Sequence, residues 1–357
     1  MCGAFPRRDT VPPLEERLEH AATKQTVFVS GVAGFLGSHV ADDFLARGHR
    51  VIGCDNLLGG YLDNVPSGVE FHKVDCNDVG SMRTITRGVD VVFHAAAAPY
   101  EGMSVFSPHV ITQNVVGASV GAFSAAIANR VKRIVYCSSM ARYGSNTVPF
   151  RETMSPRPQD PYGIGKLAAE DILRNLCGVH GVEYAIAVPH NIIGPRQKYD
   201  DPYRNVASIM INMMLQGRQP YVYGDGSQKR CFSFVRDVVP SLTRLAFDPD
   251  VNGEIFNVGP DEEFVTVLEL AQHIARLLDF DLHPQFVSAR PQEVHLASCS
   301  ADKARARLGY ETHFSLEAGL NEMIRYIRDR GPRPFTYHLD LEIVNEHTPP
   351  TWAQRLF

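Results

Sequence analysis

Residues 26–55 read TVFVSGVAGFLGSHVADDFLARGHRVIGCD, and this stretch decides the fold. An apolar run, TVFVS, leads at once into three glycines, Gly31, Gly34 and Gly37, and then into a helix-like segment. A second apolar run ends on an acid, Asp55. A strand, a glycine-rich turn, a helix and a second strand ending in a carboxylate are the parts of a dinucleotide-binding unit.

The three glycines have separate uses in such a turn. One permits the tight bend, one lets backbone N–H groups approach a pyrophosphate, and one lets helix and strand pack closely. The N-terminus of the following helix adds its partial positive charge. Asp55 is placed to accept hydrogen bonds from the two adenosine ribose hydroxyls. Because this carboxylate would repel a 2′-phosphate, the sequence predicts NAD rather than NADP.

Strand-like runs alternate with helix-like segments through the first half of the chain. The runs are rich in β-branched and aromatic residues and apolar at successive positions, as strands buried on both faces must be. Such alternation predicts an α/β fold, a Rossmann-type doubly wound parallel sheet. The runs are 26–30, 50–55, 69–74, 90–96, 133–139 and 182–188, with a later one at 254–259; helices are expected over 38–48, 114–129 and 267–278.

The pattern divides the chain into four parts. We expect an N-terminal extension over 1–24, with a short helix over Leu14–Ala22, and an NAD-binding domain over 25–188. A segment at about 231–259 would return to that domain. Residues 189–330, where proline, glycine and tyrosine become dense, would form mainly a smaller substrate-binding cap. A proline-rich tail over 331–357 carries the single tryptophan, Trp352, and an alternating run, FTYHLDLEIV.

Composition excludes several classes of protein. The chain has 357 residues, 44% hydrophobic and 21% charged, with a formal net charge of −5, so it offers no basic footprint for nucleic acid. Its 7 cysteines form no C-x-x-C pair, which favours reduced core thiols in a cytoplasmic protein over a disulfide scaffold or a metal site. The first residues contain no signal-peptide core, and without a long apolar run no membrane span is expected.

Two further positions bear on the cofactor. Asp75 follows the third run, where its carboxylate could meet the adenine amino group or cap a helix N-terminus, and the sequence leaves both open. The stretch His94–Ala98, HAAAA, ends the fourth run with small residues. These either leave room for a cofactor or serve strand–helix packing, and the two interpretations are compatible. His94 itself is interpreted as a core histidine.

Three side chains have the spacing of a proton-transfer site. Ser139 ends the fifth run, and Tyr162 and Lys166 follow in PYGIGK, four residues apart and hence on one face if a helix begins there. A phenol with a pKa of about 10 is a poor base at neutral pH. A neighbouring ammonium and the positive charge of a nicotinamide both favour the phenolate, which would lower its pKa toward the working range.

Taken together, these motifs resemble the extended short-chain dehydrogenase/reductase family. The shared elements are G-x-x-G-x-x-G, HAAA, SS-x(4)-YG in the form SSMARYG, P-Y-G-x-x-K and YGDGSQKR with its sequel. Within that family the chain is similar to nucleotide-sugar epimerases and dehydratases, closest in type to UDP-glucose 4-epimerase. The similarity extends over about 26–326, and it is more specific for the superfamily than for the substrate.

The resemblance implies an NAD-dependent epimerase of a nucleotide-diphosphate sugar, with a UDP-sugar favoured. Tyr162 would take the proton of the 4″-hydroxyl, and a transient 4-keto sugar would be reduced on its other face, with no net redox. Residues expected at the cofactor are Gly31, Gly34, Phe35, Leu36, Gly37, Asp55, Asn56, Asp75, Cys76, Ala95, Ala96, Ala97, Asn114, Tyr162, Lys166 and Pro189. Those expected at the substrate are Glu101, Ser104, Ser139, Asn191, Arg204, Tyr223, Arg230, Arg290 and Glu293.

The sequence also departs from the family pattern. Dehydratases carry an Asp–Glu pair after the active-site hydroxyl residue and decarboxylases a Glu, whereas this chain has Met140 and Ala141. Epimerisation needs neither acid, so it remains by elimination. Cys231 replaces the aspartate of the usual R-D-F, and Ala297 stands at a position that gates the sugar's 2-substituent, where a small side chain would leave room for an N-acetyl group.

Two other activities stay open at this stage. A nucleotide-sugar reductase or dehydrogenase would transfer hydride in net terms, and a non-catalytic nucleotide-sensing protein would use the fold alone. Because relatives of the latter kind often lack the tyrosine or the lysine, the presence of both counts against it. By resemblance, a homodimer is expected, in which the helices at 114–129 and 162–176 form a four-helix bundle with those of a second copy.

Overall fold

The computed structural model describes residues 24–357, so Cys2 and the helix expected over Leu14–Ala22 lie outside the described residues. The strands are β1 (Thr26–Ser30), β2 (Arg50–Asp55), β3 (Glu70–Lys73), β4 (Val91–His94), β5 (Arg133–Cys137), β6 (Glu183–Pro189), β7 (Ile192–Ile193), β8 (Tyr221–Tyr223), β9 (Lys229–Cys231), β10 (Ser233–Phe234), β11 (Ile255–Val258), β12 (Phe264–Thr266), β13 (Gln285–Val287) and β14 (Leu296–Ala297). The α-helices are α1 (Phe35–Ala46), α2 (Val79–Ile85), α3 (Pro108–Thr112), α4 (Ala118–Ala128), α5 (Pro161–His180), α6 (Val206–Leu215), α7 (Val235–Arg244), α8 (Val267–Leu278), α9 (Asp302–Leu308), α10 (Leu316–Arg330) and α11 (Pro350–Ala353).

The predicted doubly wound sheet is confirmed. Seven strands lie in the order β11-β6-β5-β4-β1-β2-β3, and all neighbouring strands are parallel. The strand order reverses at β1, which lies between β4 and β2. In an open α/β sheet, ligands bind in the crevice outside the carboxyl ends of the strands at such a reversal.

Alternate residues of β1 supply the cores on the two faces of this sheet. Val27 and Val29 pack with Phe44 of α1 and Val238 of α7 on one face. Phe28 packs on the other face in a cluster that holds residues of α4 and α5. Because both faces are covered, the strand shows no polar alternation, which is the pattern that the sequence displays.

Two strands end earlier than their apolar runs suggested. β4 ends at His94 and β5 at Cys137, whereas the runs extended to Ala96 and Ser139. After β4, Ala96 N bonds the Ser30 hydroxyl at 3.2 Å rather than a neighbouring strand, whereas after β5 Ser138 N still donates to the Ala187 carbonyl oxygen of β6 at 2.8 Å. The small and hydroxyl residues at these two strand ends line the cavity at the sheet edge.

The two long helices on one face exceed their predicted bounds. α5 runs over Pro161–His180, and α3 continues through a π-helical turn at Gln113–Gly117 into α4. The combined stretch Pro108–Ala128 is long and apolar enough to cross a membrane by length and composition, but half of it is buried inside the protein. It packs against α2 and α5, as a core helix does.

The cap contains short strands and three helices. α6, α8 and α10 share a core that includes Ile211, Ile274 and Leu320. α8 has the predicted bounds, and Thr266 and Glu269 form a capping box at its start. α7 and β11 return to the large sheet, and Ala304 of α9 joins the same core, so the return extends beyond residue 259.

The tail crosses the molecule in extended and irregular conformation. The alternating run at 335–344 forms neither helix nor strand, and α11 is a single short turn at Pro350–Ala353. Tyr337, Leu339 and Trp352 nevertheless join a buried cluster with Tyr100 and Tyr203. Packing therefore holds this segment although its sequence pattern specifies no regular element.

Candidate functional site

The glycine turn brings backbone close to the end of β4. Gly31 has φ +73°, and a Cβ there would lie 2.9 Å from the Cα of Ala96; at Gly37 a Cβ would collide with the Gly31 carbonyl oxygen. α1 begins at Phe35 with neither a capping side chain nor an acid in its first turn. Its free N–H groups line the cavity with Leu36, which makes this end a site for an anionic group such as a pyrophosphate.

Asp55 joins the turn to the loop after β2. Its two carboxylate oxygens accept from Ala33 N at 3.0 Å and from Leu57 N at 2.7 Å. Burial raises the pKa of Asp55, while these backbone hydrogen bonds lower it. The remaining lone pairs face the cavity, so the carboxylate can accept from ribose hydroxyls without losing its structural bonds.

The helix-cap interpretation of Asp75 is wrong, because Asp78 caps α2 by accepting from Ser81 N. Asp75 instead lines the cavity and accepts from the Asn56 side chain at 2.8 Å. Burial raises the pKa of Asp75, but hydrogen bonds from Asn56 and Asn77 outweigh it and lower the pKa overall. The carboxylate therefore remains charged, at the place where the adenine contact was expected.

The residues around this half of the cavity fit NAD. Small side chains leave the backbone open, a free helix terminus faces the pyrophosphate position, and Asp55 is available for the ribose. His94 lies in the core with Nδ1 2.7 Å from the Ser30 hydroxyl and Nε2 3.0 Å from the Ser119 hydroxyl. The same wall is completed by Cys76, Ala95, Ala96, Ala97, Asn114 and Pro189.

Three elements bring Ser139, Tyr162 and Lys166 together. Ser139 caps the 3₁₀ turn Met140–Arg142 after β5, while Tyr162 and Lys166 lie in the first turns of α5, whose N-cap is Asp160. Lys166 Nζ donates to the Cys137 carbonyl oxygen at 2.7 Å and lies 5.9 Å from the centre of the Tyr162 ring. All three side chains line the cavity.

The pKa of the Tyr162 phenol is set mainly by its burial in this structure. Burial raises the pKa of Tyr162 well above its usual value, and only a hydrogen bond to Ser139 and the charge of Arg204 lower it. Burial also lowers the pKa of Lys166 to about 8. The phenol is therefore protonated at neutral pH in this structure, and the ammonium of Lys166 is directed to the Cys137 carbonyl oxygen.

A carboxyl pair lies beside the tyrosine. Burial first, and then the charge of Asp160, raise the pKa of Glu101 to about 7, against the opposing effect of Arg230 and Arg290. Asp160 Oδ1 accepts from Gly163 N at 2.9 Å, while its buried Oδ2 has no hydrogen-bond partner. Ser104 does not line the cavity; its hydroxyl lies 3.2 Å from Asp160 Oδ1, so it supports the pair rather than facing a substrate.

Two arginines form a cationic wall on the cap side. Arg290 donates to Glu293 at 2.5 Å and lies 4.6 Å from the centre of the Tyr223 ring. Arg230 donates to the carbonyl oxygens of Val294 and His295, and 3.9 Å separates it from Glu293. Both guanidinium groups line the cavity, and the carboxylate that pairs with them, Glu293, lines it too. Such an arrangement suits a diphosphate.

Arg204 and Asn191 lie between these groups. Arg204 donates to the Gly59 carbonyl oxygen, next to the loop that carries Asp55, and its Nε lies 3.3 Å from Asp201. Asn191 has φ +43° and donates to the Cys231 carbonyl oxygen at 2.9 Å. Both line the cavity, where Arg204 is placed to interact with either ligand.

The space expected beside Ala297 is small. A separate cavity of about 10 Å³ is lined by Ala297, Met140, Ala141 and Glu101, among others. This volume is that of one water molecule, because the neighbouring side chains fill the room that the small alanine leaves.

Apart from Ser104, every predicted site residue lines one cavity of about 470 Å³. Sequence reasoning missed Asp160, Tyr203, Trp352 and Phe357, which line it as well. Asp160 could have been found from its place before the Pro-Tyr of α5, and Trp352 from being the single tryptophan. Among residues 24–357 no group of His, Cys, Asp and Glu side chains could hold a metal ion.

Comparison with known proteins gives a consistent result. The profile of the NAD dependent epimerase/dehydratase family matches residues 27–259. A UDP-glucose 4-epimerase of Mycolicibacterium smegmatis is 33% identical over 85% of this chain and 98% of that protein. A UDP-N-acetyl-alpha-D-glucosaminuronate decarboxylase of Bacillus cytotoxicus is 30% identical over 86% of this chain and 98% of that protein.

A solved structure agrees over the same extent. UDP-glucose 4-epimerase from Thermotoga maritima, with UDP-glucose, superimposes with a TM-score of 0.80 at 30% identity and covers 85% of this chain and 99% of that one. The chain therefore belongs to the NAD dependent epimerase/dehydratase family. The predicted family and its NAD cofactor are confirmed at this level.

Proposed function

We propose that this member of the NAD dependent epimerase/dehydratase family is a nucleotide-sugar epimerase that inverts C4. The observation that carries the proposal is the joint placement of Ser139, Tyr162 and Lys166 at one cavity with Arg230 and Arg290 on its cap side. A proton-transfer group and a diphosphate site in one cavity of about 470 Å³ suit an NDP-sugar. NAD supplies reversible oxidation at the sugar carbon.

Tyr162 removes and later returns the proton of the 4″-hydroxyl in this mechanism. Ser139 bonds the same sugar oxygen and stabilises the phenolate, while Lys166, held by Cys137, fixes the ribose end of the cofactor. Because burial raises the pKa of Tyr162, a cationic ligand beside it is needed before it acts as a base at neutral pH. A 4-keto sugar then exposes its other face after rotation in the cavity.

The residues after Ser139 favour epimerisation over the other family reactions. Met140 and Ala141 cannot transfer protons, so elimination of water and decarboxylation both lack their usual acid. Decarboxylation remains the second candidate, because a relative at 30% identity bears that name. Glu101 lines the small cavity beside Ala141, and its ionised form, which predominates above its raised pKa of about 7, would repel the carboxylate of a uronic acid.

The test is incubation of the purified protein with UDP-, GDP-, ADP- and dTDP-sugars, uronic acids included, without added cofactor. We expect NMR to show inversion at C4 of one sugar with no net change in NAD. Conversion that requires stoichiometric NAD(P)H would instead establish a reductase. Release of CO₂ from a uronic acid would establish a decarboxylase, and either outcome overturns the epimerase.

We also propose a homodimer through α5 and the helical stretch over residues 108–128. The support is a half-exposed apolar face on α5, where Ile164 is 53% exposed and Leu167 and Ile172 are partly buried. An exposed apolar face on a long helix suits a four-helix contact with a second copy. Light scattering should give twice the monomer mass, and Ile164→Glu should give the monomer.

A further inference from the structure

The tail that follows α10 lies far beyond the residues 27–259 that the family profile matches. It packs against the rest of the protein. Trp352 is 3% exposed, and its ring packs edge-on against Tyr203 at 5.7 Å and Phe106 at 6.1 Å between ring centres. Its indole N–H donates to the Pro202 carbonyl oxygen at 3.1 Å. An indole buried this fully, with its one donor satisfied, has a fixed position.

Thr351 connects the tail to the cationic wall. Its hydroxyl lies 2.5 Å from the Tyr223 hydroxyl, and the Tyr223 ring carries the Arg290 guanidinium at 4.6 Å from its centre. Burial raises the pKa of Tyr223, so the phenol stays neutral and can share this hydrogen bond. Through Tyr223, the tail therefore helps to fix the direction of Arg290.

The end of the tail closes against the cap. The Tyr337 hydroxyl donates to the Thr351 carbonyl oxygen and accepts from Phe357 N, both at 3.0 Å. The Phe357 ring lies edge-on to Tyr221, 5.5 Å between ring centres, and Arg218 donates to the Leu356 carbonyl oxygen at 2.8 Å. Trp352 and Phe357 line the same cavity as Tyr162 and Arg290.

A second attachment lies away from that cavity. The Glu342 carboxylate accepts from His109 N at 2.9 Å and Val110 N at 2.8 Å, in the first turn of α3. Nearer the cavity, which Tyr203 lines, the Tyr203 hydroxyl donates to the Leu339 carbonyl oxygen at 2.6 Å. The tail thus binds both the NAD-binding side and the cap, and Glu342 offers a contact that tethers the tail without touching the ligand site.

We propose that the end of the tail, residues 351–357, forms a fixed wall of the nucleotide-sugar pocket, in which Trp352 and Phe357 contact the substrate and Thr351 positions Arg290 through Tyr223. Aromatic surface beside a guanidinium is the chemistry that binds a nucleoside diphosphate. The wall sets which nucleotide sugars the pocket accepts. This inference rests on the proposed function only for the identity of the substrate.

The test compares Phe357→Ala and Thr351→Val with wild type in the full-length protein, with UDP as the probe in calorimetry. Phe357 is only partly buried and Thr351→Val keeps the side-chain shape, so both variants should fold. We expect the Kd for UDP to rise about threefold to tenfold in each, as the loss of one aromatic contact or one positioning bond implies. KM should rise with it, and kcat should change less.

Glu342→Gln is the matched control within the same segment. It weakens the tether at α3, so it should lower the melting temperature while leaving the Kd for UDP unchanged. The proposal is wrong if both pocket variants fold and bind UDP as the wild type does. It is also wrong if Glu342→Gln weakens UDP binding as much as they do, because the tail would then only stabilise the fold. The role of the tail is tested by UDP binding and not by turnover. If the protein converts no sugar, the proposed epimerase activity is wrong, but the binding measurements still decide whether the tail contributes to the pocket.

Discussion

The Lys166 ammonium lies 2.7 Å from the carbonyl oxygen of Cys137, at the carboxyl end of β5. This bond directs the lysine to the sheet edge, where it also lies 5.0 Å from the centre of the Tyr136 ring. It lies 5.9 Å from the centre of the Tyr162 ring, and its hydrogen bond goes to the Cys137 carbonyl oxygen. Helical spacing places the two side chains on one face, but the strand end determines where the ammonium goes.

We expect Lys166→Met to lower turnover about 100-fold or more, which is the lower range of a positioned acid–base group. The variant loses the charge that favours phenolate and the donor available to the cofactor ribose. Turnover is measured by NMR, together with the NAD retained after gel filtration. Lys303→Met, which removes an ammonium bonded to Glu254 outside the cavity, is the control and should retain activity. Full activity in Lys166→Met would remove the lysine from the mechanism.

Tyr162→Phe should abolish turnover and leave UDP binding within about twofold of wild type, because only the proton-transferring oxygen is lost. The control is Tyr143→Phe, which removes another buried phenol oxygen, one that donates to Asn257 at 2.9 Å. That variant should lose stability and keep its activity. Near-normal turnover in Tyr162→Phe would exclude the phenol as the base.

Much of the fold was open to prediction because it depends on local patterns. Buried parallel strands must be apolar at successive positions, and the turn at Gly31 leaves no room for a side chain beside Ala96. Both constraints are visible in the sequence without knowledge of any distant contact. The cofactor half of the site follows from them, since it is built from that turn and from the ends of β1, β2 and β4.

The rest could not be predicted because it depends on contacts between distant segments. Nothing near Trp352 in the sequence indicates that it packs on Tyr203. Ser104 was expected at the substrate, but its hydroxyl lies 2.7 Å from the Glu101 carbonyl oxygen and 3.2 Å from Asp160, a partner from another loop. The room beside Ala297 was inferred from one small side chain, and the cavity there is also lined by Met140 and Glu101, which lie far from Ala297 in the sequence.

Glu170 holds side chains that follow β5 beside the site, and its removal should lower the free energy of unfolding. Its buried carboxylate accepts from the Ser138 hydroxyl at 2.5 Å and from Arg174 at 3.0 Å, and it forms an ion pair with Arg142, whose Nε lies 2.8 Å away. Glu170→Ala leaves Arg142, itself 4% exposed, as an unpaired buried charge. We expect the free energy of unfolding to fall by about 3–5 kcal/mol. Urea denaturation measures this, with the exposed carboxylate variant Asp171→Ala as the control.

Glu101→Gln should change how stability depends on pH. Burial, with the charge of Asp160, raises the pKa of Glu101 from 4.5 to about 7, so the folded protein keeps a proton that the unfolded chain has lost between these values. The free energy of unfolding of the wild type therefore falls as pH rises through this window, and the cost is complete above about pH 7. Glutamine carries no charge at any pH, so the variant avoids this loss.

The quantity compared is the free energy of unfolding of Glu101→Gln minus that of the wild type. We expect this difference to be about 1–3 kcal/mol more favourable to the variant at about pH 8 than at about pH 4.5. Urea denaturation across that range measures the difference between the two proteins. Glu346→Gln, at a side chain that is 81% exposed, should show no such trend. A difference that stays constant with pH would mean that Glu101 is ionised in the folded protein throughout, and hence that the cavity holds a full negative charge beside Tyr162 at neutral pH.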